Sequence, residues 1–305
     1  MKTKKMGLLL ALAIGLEGLL GSANVYAARA ESPYELNVNG SFVPMDVQPL
    51  ETDSTLLIPI RTLSSLGLIY DWHASEKSLT VRHPSGDVLT ISLNSPKATK
   101  NNQAVKLSVP AQSKNGRVMV PLRFISENLG DRVQYEPIRK MIFVNSADYQ
   151  FDPKSLNPHD LVKARRAAIS LPITTDFKTL PFGTKTDHSY LFPAGRADSY
   201  IFGDGETHTI VNITGGKAQA LGQYIESDRA NLFAIAGAMT MKTLADPLLQ
   251  PFVPGDTFYH RAGSAHIEAT YWTGDVLSPA ATMKSLDFST YHIYSDIIQD
   301  IPQER

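Results

Sequence analysis

Apolar positions in the first half of the chain form one pattern written twice. In Leu57–Gly67 (LIPIRTLSSLG) and Met119–Gly130 (MVPLRFISENLG) a short apolar run reaches a proline, then an arginine. Apolar residues then recur at helical spacing: Leu63 and Leu66 in the first copy, Phe124, Ile125 and Leu129 in the second. Pro59 and Pro121 suit a helix's first turn, where the missing N–H has no partner to lose, and Gly67 and Gly130 suit its C-terminal end. Each short helix is followed by a predicted hairpin. Leu68–Trp72 and Ser78–His83 are joined by Ala74–Lys77, and Val133–Glu136 and Met141–Val144 by Pro137–Lys140. Upstream, Asn39-Gly40 and Asn101-Asn102 are turn dipeptides that tolerate positive φ, and alternating runs such as Ser41–Val47 and Gln103–Val109 flank them.

The copies hold register. Pro59/Pro121 and Arg61/Arg123 lie 62 positions apart; after one added residue, Gly67/Gly130, Trp72/Tyr135, Lys77/Lys140 and Val81/Val144 lie 63 apart. A period this long marks a duplicated supersecondary unit, 38–83 and 100–144, rather than a solenoid. A two-turn helix cannot bury its stripe alone, so the expectation is an α+β fold: a strand-helix-hairpin unit, duplicated, forming an antiparallel sheet packed on short helices over residues 36–146. Arg61 and Arg123 read as ties from the helix start to a strand or carboxylate, with ligand binding the alternative. Trp72 and Tyr135 read as core or cross-strand partners, or as a platform for sugar stacking.

Residues 147–156 turn polar and read as a linker, leaving a 157–305 region. There Asn157–Asp160 can start a helix through Leu161, Ala164 and Ala168, with Lys163, Arg165 and Arg166 expected on a solvated face. Beyond it, Ser189–Phe192, Ser199–Phe202, Thr207–Ile213, Lys217–Tyr224, Thr257–His260, Ala265–Trp272 and Asp287–Tyr294 read as strands of a β-rich, mostly antiparallel domain. Asp228–Leu244 fits a helix or a buried strand.

Composition narrows the functional classes. Over 305 residues the formal charge is −1, which gives no field to recruit nucleic acid. Lys2, Lys4 and Lys5 precede the apolar run Leu8–Leu20 and small residues at a cleavage-like spacing, so residues 1–27 read as a secretion signal, 28–35 as a short exposed segment, and no membrane span is expected after cleavage. With no cysteine, disulfides, thiol nucleophiles and Cys-ligated zinc are excluded.

The segments VNGSFVPM, LIPIRTLSSLGLIYDWHASEKSLTV and MVPLRFISENLGDRVQYEPIRKMIFV together resemble the copper amine oxidase N-terminal-like stalk domain of exported Firmicutes proteins. The resemblance implies an accessory or spacer module with an antiparallel sheet against helices. It does not imply oxidase chemistry: the chain has neither an Asn-Tyr cofactor context nor a His-x-His copper pair.

Candidate chemistry is sparse. His260, His266 and Glu268 could gather on a hairpin for zinc or acid/base work, with ordinary strand-surface residues as the plain alternative. Gly203–Glu206 fits a hairpin turn better than a calcium loop. No nucleophile elbow, His-Glu-x-x-His or phosphate loop is present. The reading is an exported, non-catalytic stalk-domain protein, secreted and either free or associated with the cell wall, with wall polymer or an envelope protein as partner and no metal or cofactor. Two alternatives stand beside it: a secreted hydrolase using the C-terminal region, and a wall carbohydrate binder using Trp72 or Trp272.

Overall fold

The computed structural model describes residues 34–180, 188–205, 207–226, 232–237, 257–262, 266–272, 283–288 and 297–300. The repeat region runs β1 (Glu35–Val38), β2 (Ser41–Val43), β3 (Leu50–Thr52), β4 (Thr55–Pro59), a 3-10 helix (Ile60–Leu66), β5 (Ile69–His73), β6 (Ser78–Arg82) and β7 (Val88–Ser92). It continues with β8 (Lys97–Lys100), β9 (Gln103–Lys106), β10 (Gln112–Lys114), β11 (Arg117–Pro121), α1 (Leu122–Leu129), β12 (Arg132–Glu136) and β13 (Met141–Asn145). The fold is α+β as expected, mostly strand with short helices, but the strands form three sheets here instead of one.

The duplication is a local two-fold. In the central sheet, ordered β10-β11-β4-β3, Val120 pairs with Ile58, Met119 with Pro59 and Pro121 with Leu57, so equivalent residues face each other across an axis between Ile58 and Val120. Each proline ends its strand at the position just before the helix, rather than sitting in the first turn. The helices differ: the first copy, one residue shorter, winds as 3-10, whereas the second is α. Both bury their stripes in one core, Leu63 and Leu66 beside Ile125 and Leu129, each such side chain contributing about 1.5–3 kcal/mol of burial.

Both helices end on a left-handed glycine, Gly67 at φ 75° and Gly130 at φ 87°. A Cβ on Gly67 would sit 2.9 Å from Pro84 Cγ, whereas one on Gly130 would meet nothing within 4 Å. Gly130→Ala is therefore expected to lose about 1–2 kcal/mol from backbone strain alone. Gly67→Ala should lose more, measured as urea midpoints of the two variants side by side.

The copies exchange their first hairpins. β1-β2 joins the second copy's sheet, ordered β12-β13-β1-β2, through a parallel β1–β13 pairing, while β8-β9 joins the first copy's sheet, β5-β6-β7-β8-β9. Asn39 and Gly40, and likewise Asn101 and Asn102, take positive φ in their turns as the sequence anticipates.

The β12-β13-β1-β2 sheet is covered on both faces. Leu36, Val38, Ile142 and Val144 enter the repeat core, while Phe42, Met141 and Phe143 enter a second core shared with the region beyond residue 157. That region opens with α2 (Leu161–Ile169), whose Asp160 side chain caps it by accepting from the Lys163 N–H. Then come β14 (Ile173–Thr174), β15 (His188–Phe192), β16 (Ser199–Gly203), β17 (Thr207–Thr214), β18 (Lys217–Glu226) and β19 (Leu232–Gly237). β20 (Thr257–Ala262), β21 (His266–Trp272) and β22 (Met283–Phe288) complete it. These strands form one sheet, ordered β14-β18-β17-β16-β15-β20-β21-β22, antiparallel except β14–β18, with β19 also on β18. The ambiguous 228–244 stretch thus contains a strand; of the expected Asp287–Tyr294 strand, Asp287 and Phe288 end β22 and 289–294 lie outside the described residues.

In the expected linker, Phe151 and Leu156 pack on the shared core, so apolar contact is continuous from the repeat region into the rest of the chain. The expected solvated face of α2 is corrected. Arg165 is fully buried and Arg166 donates to the Ile298 carbonyl at 2.9 Å, because the 193–196 turn and residues 297–300 lie over that face and present carbonyls to it.

Candidate ligand groove

Along β5, Tyr70 and Trp72 share the face that carries β6's core residues, paired with Val81 and Leu79 respectively. β5 is an edge strand, so Trp72 overhangs the core instead of entering it and is 47% exposed. The expected cross-strand pairing holds, but core burial does not; the same is true of Tyr135, paired with Ile142 and also 47% exposed. The edge strand faces the start of the 3-10 helix and the β10-β11 hairpin, leaving a groove of about 380 Å³. Ile60, Arg61, Tyr70, Trp72, Ser113 and Arg117 are among the residues lining it.

The arginines do not act as the ties expected from the sequence. Arg61 is exposed and, among the described residues, makes no hydrogen bond or ion pair. Arg123 is also exposed and reaches only Glu127, one helical turn on, at 3.7 Å, a contact of small energy. Sitting at the second helical position, both point outward while Thr62 and Leu63 turn in. Arg117 is oriented by Asp46, which accepts from its Nε at 2.7 Å and pairs with its Nη2 at 2.6 Å. Tyr70 Oη is buried with no hydrogen-bond partner, and burial pushes its pKa well above the usual phenol range. The groove therefore offers an indole face, a free guanidinium, an anchored guanidinium and a serine hydroxyl. Such a set can hold a polar ring but contains no nucleophile–base pair.

A larger cleft of about 690 Å³ opens in the C-terminal region, bordered by Ile138, Phe202, Asp204, Thr207, Thr209 and Gln223 among others. Its polar groups bind one another. Gln223 donates to Thr209 Oγ1 at 2.9 Å and accepts from the Leu180 N–H at 2.8 Å, and Asp204 accepts from the Thr207 N–H at 2.9 Å. Asp204 and Gly205 accordingly lie in the connection between β16 and β17, braced by Asp204, while Glu206 lies outside the described residues.

Register places His260 opposite Glu268 and His266 opposite Ala262 in the β20-β21 hairpin. The side chains of His260, His266, Glu268 and Trp272 lie outside the described residues. Among the described residues no three His, Asp or Glu side chains are grouped to hold a metal ion. No helix among them is long and apolar enough to cross a membrane.

One titratable pair lies beside the repeat core. Asp131 follows the Gly130 cap, is 4% exposed, and has His83 Nε2 at 3.6 Å. Burial raises its pKa, with His83 offsetting part of the shift. A carboxyl whose folded pKa exceeds its unfolded one favours the fold below the unfolded pKa and loses that contribution as pH rises through the folded pKa. Asp131→Asn is therefore expected to unfold at higher urea than the parent at pH 7, with the difference closing as pH approaches 3.

Residues 37–144 match the model of the copper amine oxidase N-terminal domain family, the span of the duplicated unit. No curated protein and no solved structure matches the chain.

Proposed function

We propose that this chain, which carries a copper amine oxidase N-terminal-like domain at residues 37–144, is an exported, non-catalytic binding and scaffold module of the cell envelope. The Arg61–Trp72 groove carries the reading: a half-exposed indole and an unengaged guanidinium are binding groups, held on a rigid two-fold core. Support also comes from the lysine-led apolar stretch at the N-terminus and from the absence of cysteine, both in keeping with export. The chain lacks the Asn-Tyr and His-x-His contexts of amine oxidase chemistry.

The test is retention on purified peptidoglycan sacculi. The mature protein should pellet with them and release no soluble product, whereas loss of retention would remove the envelope-binding reading. A hydrolase working through the β20-β21 hairpin predicts instead stoichiometric zinc in the purified protein, lost in His266→Ala.

A further inference from the structure

The local two-fold creates two equivalent stations, and the chain treats them differently. At the second, between Tyr135, the start of α1 and the β3-β4 hairpin, Tyr34 lies against Tyr135 with ring centroids 6.3 Å apart at 64°, and its hydroxyl donates to Glu51 Oε2 at 2.9 Å. Burial and the Glu51 carboxylate together raise the Tyr34 pKa. The protein thus supplies a planar ring with a polar substituent to its own site.

At the first station the chain turns away. Register sets Glu35 opposite Met141, so Tyr34 comes beside Lys140; beside the equivalent Lys77 stands Leu93, which follows the Ser92–Ser78 pair and donates its N–H to the Lys77 carbonyl at 2.8 Å. Leu93 lies on the core-facing side of β7 with Leu89 and Ile91 and lines the groove, so an aliphatic side chain stands where the other copy has Tyr34; the next residue, Asn94, turns the chain at φ 56° and sends its N–H to the Ala111 carbonyl at 2.8 Å. No ring is delivered, and the space beside Trp72 stays open as the groove of about 380 Å³.

The polar chemistry is reversed between the stations. Ser113 stands where the other has Glu51, and Arg117 where it has Thr55, while Arg61 lacks the glutamate that Arg123 meets at 3.7 Å. One station accepts a hydroxyl proton; the other presents the unengaged Arg61 guanidinium, a donor for a carboxylate, beside Arg117, whose Nε and Nη2 stay on Asp46. The volume, about 380 Å³, is at the low end for small-ligand sites. A flat indole flanked by donors matches the face and edge of a pyranose.

We propose that the groove between Trp72, Arg61 and Arg117 binds a sugar ring that carries a carboxylate, beside Leu93, the counterpart of Tyr34 in the other copy. This rests on the binding-module reading above and names its ligand class. The ligand could come from wall glycan, through a muramic acid unit, or from a uronic acid polysaccharide, and the titration separates these sources.

In a Trp272→Phe background, Trp72 emission is titrated with N-acetylglucosaminyl-N-acetylmuramic acid, with trigalacturonic acid and with neutral galactotriose, and calorimetry is run alongside. One of the acidic sugars should bind at least tenfold more tightly than galactotriose and shift the Trp72 emission. Arg61→Gln should weaken it about tenfold, Trp72→Ala should abolish the calorimetric signal, and Tyr135→Ala should leave it within twofold. Arg61 is exposed and unengaged, so its variant folds even where Trp72→Ala does not. The proposal is overturned if neither acidic sugar binds, if galactotriose binds equally well, or if Arg61→Gln binds as the parent does. Retention on sacculi that survives Arg61→Gln and Trp72→Ala would sink the groove while leaving the envelope reading intact. Acidic sugar binding without sacculus retention would do the reverse.

Discussion

Arg139→Ala is expected to lose about 3–5 kcal/mol of unfolding free energy, the usual consequence of breaking a buried ion pair from one side. Arg139 and Glu136 have no exposed side-chain surface and bond across the β12-β13 turn, Nε to Oε2 at 2.6 Å, while Glu136 Oε1 accepts from the Arg139 N–H at 2.8 Å. The same guanidinium donates to the carbonyls of Ile169 and Leu171, at 2.7 and 2.6 Å, where α2 gives way to β14. Removing it strands a carboxylate and two carbonyls away from water. The Glu136→Leu/Arg139→Met pair eliminates the stranded charge and leaves the two carbonyls and the N–H of residue 139 without those partners, so the double variant should be more stable than Arg139→Ala. A double-mutant cycle in urea reads the coupling directly. If Arg139→Ala unfolds within 1 kcal/mol of the parent, the junction between the repeat region and α2 does not depend on this clamp.

Arg165→Lys should cost about 2–4 kcal/mol despite keeping the charge, because a buried hydrogen-bonded cation is replaced by one of different shape. Its Nε donates to the Arg196 carbonyl at 3.1 Å, Nη1 to Tyr259 Oη at 3.1 Å and Nη2 to the Pro193 carbonyl at 3.4 Å. The guanidinium carbon also lies 5.0 Å from the centre of the Phe192 ring. A lysine's single ammonium cannot span three acceptors that a planar fork reaches together. Thermal unfolding of Arg165→Lys beside Lys163→Arg, an exposed neighbour on the same helix, separates loss of shape from loss of helix propensity. Equal melting of the two would refute the bridging role.

The two-fold unit was legible because its markers are local. Turn asparagines, a proline ending a strand, a glycine ending a helix and an aromatic on the following strand each impose a backbone state that survives duplication. What separates the copies is tertiary. Positions equivalent to Glu136 and Arg139 are His73 and Glu76, both exposed, so the repeat pattern alone hides the clamp. A signal did exist in β13: MIFV is apolar on both faces where β6 reads SLTV, which is the pattern of a strand covered twice. Arg165 misled for the opposite reason. Helical periodicity assigned it to solvent, and only chain arriving from 193–196 and 297–300 makes that face an interior. The open groove escaped the pattern because its partners, β5 and the β10-β11 hairpin, are more than 35 residues apart.

The exchange of first hairpins dictates an order of assembly. β1 lies against β13, about 100 residues further along the chain, so a nascent chain emerging N-terminus first holds β1 and β2 without their sheet until residue 145 has appeared. Such long-range pairing slows folding and denies either repeat an existence of its own: a fragment ending at residue 95 keeps β1 without β13, and β7 without the β8-β9 hairpin. Release from the ribosome before that point therefore yields a chain with exposed strand edges and no native alternative to adopt.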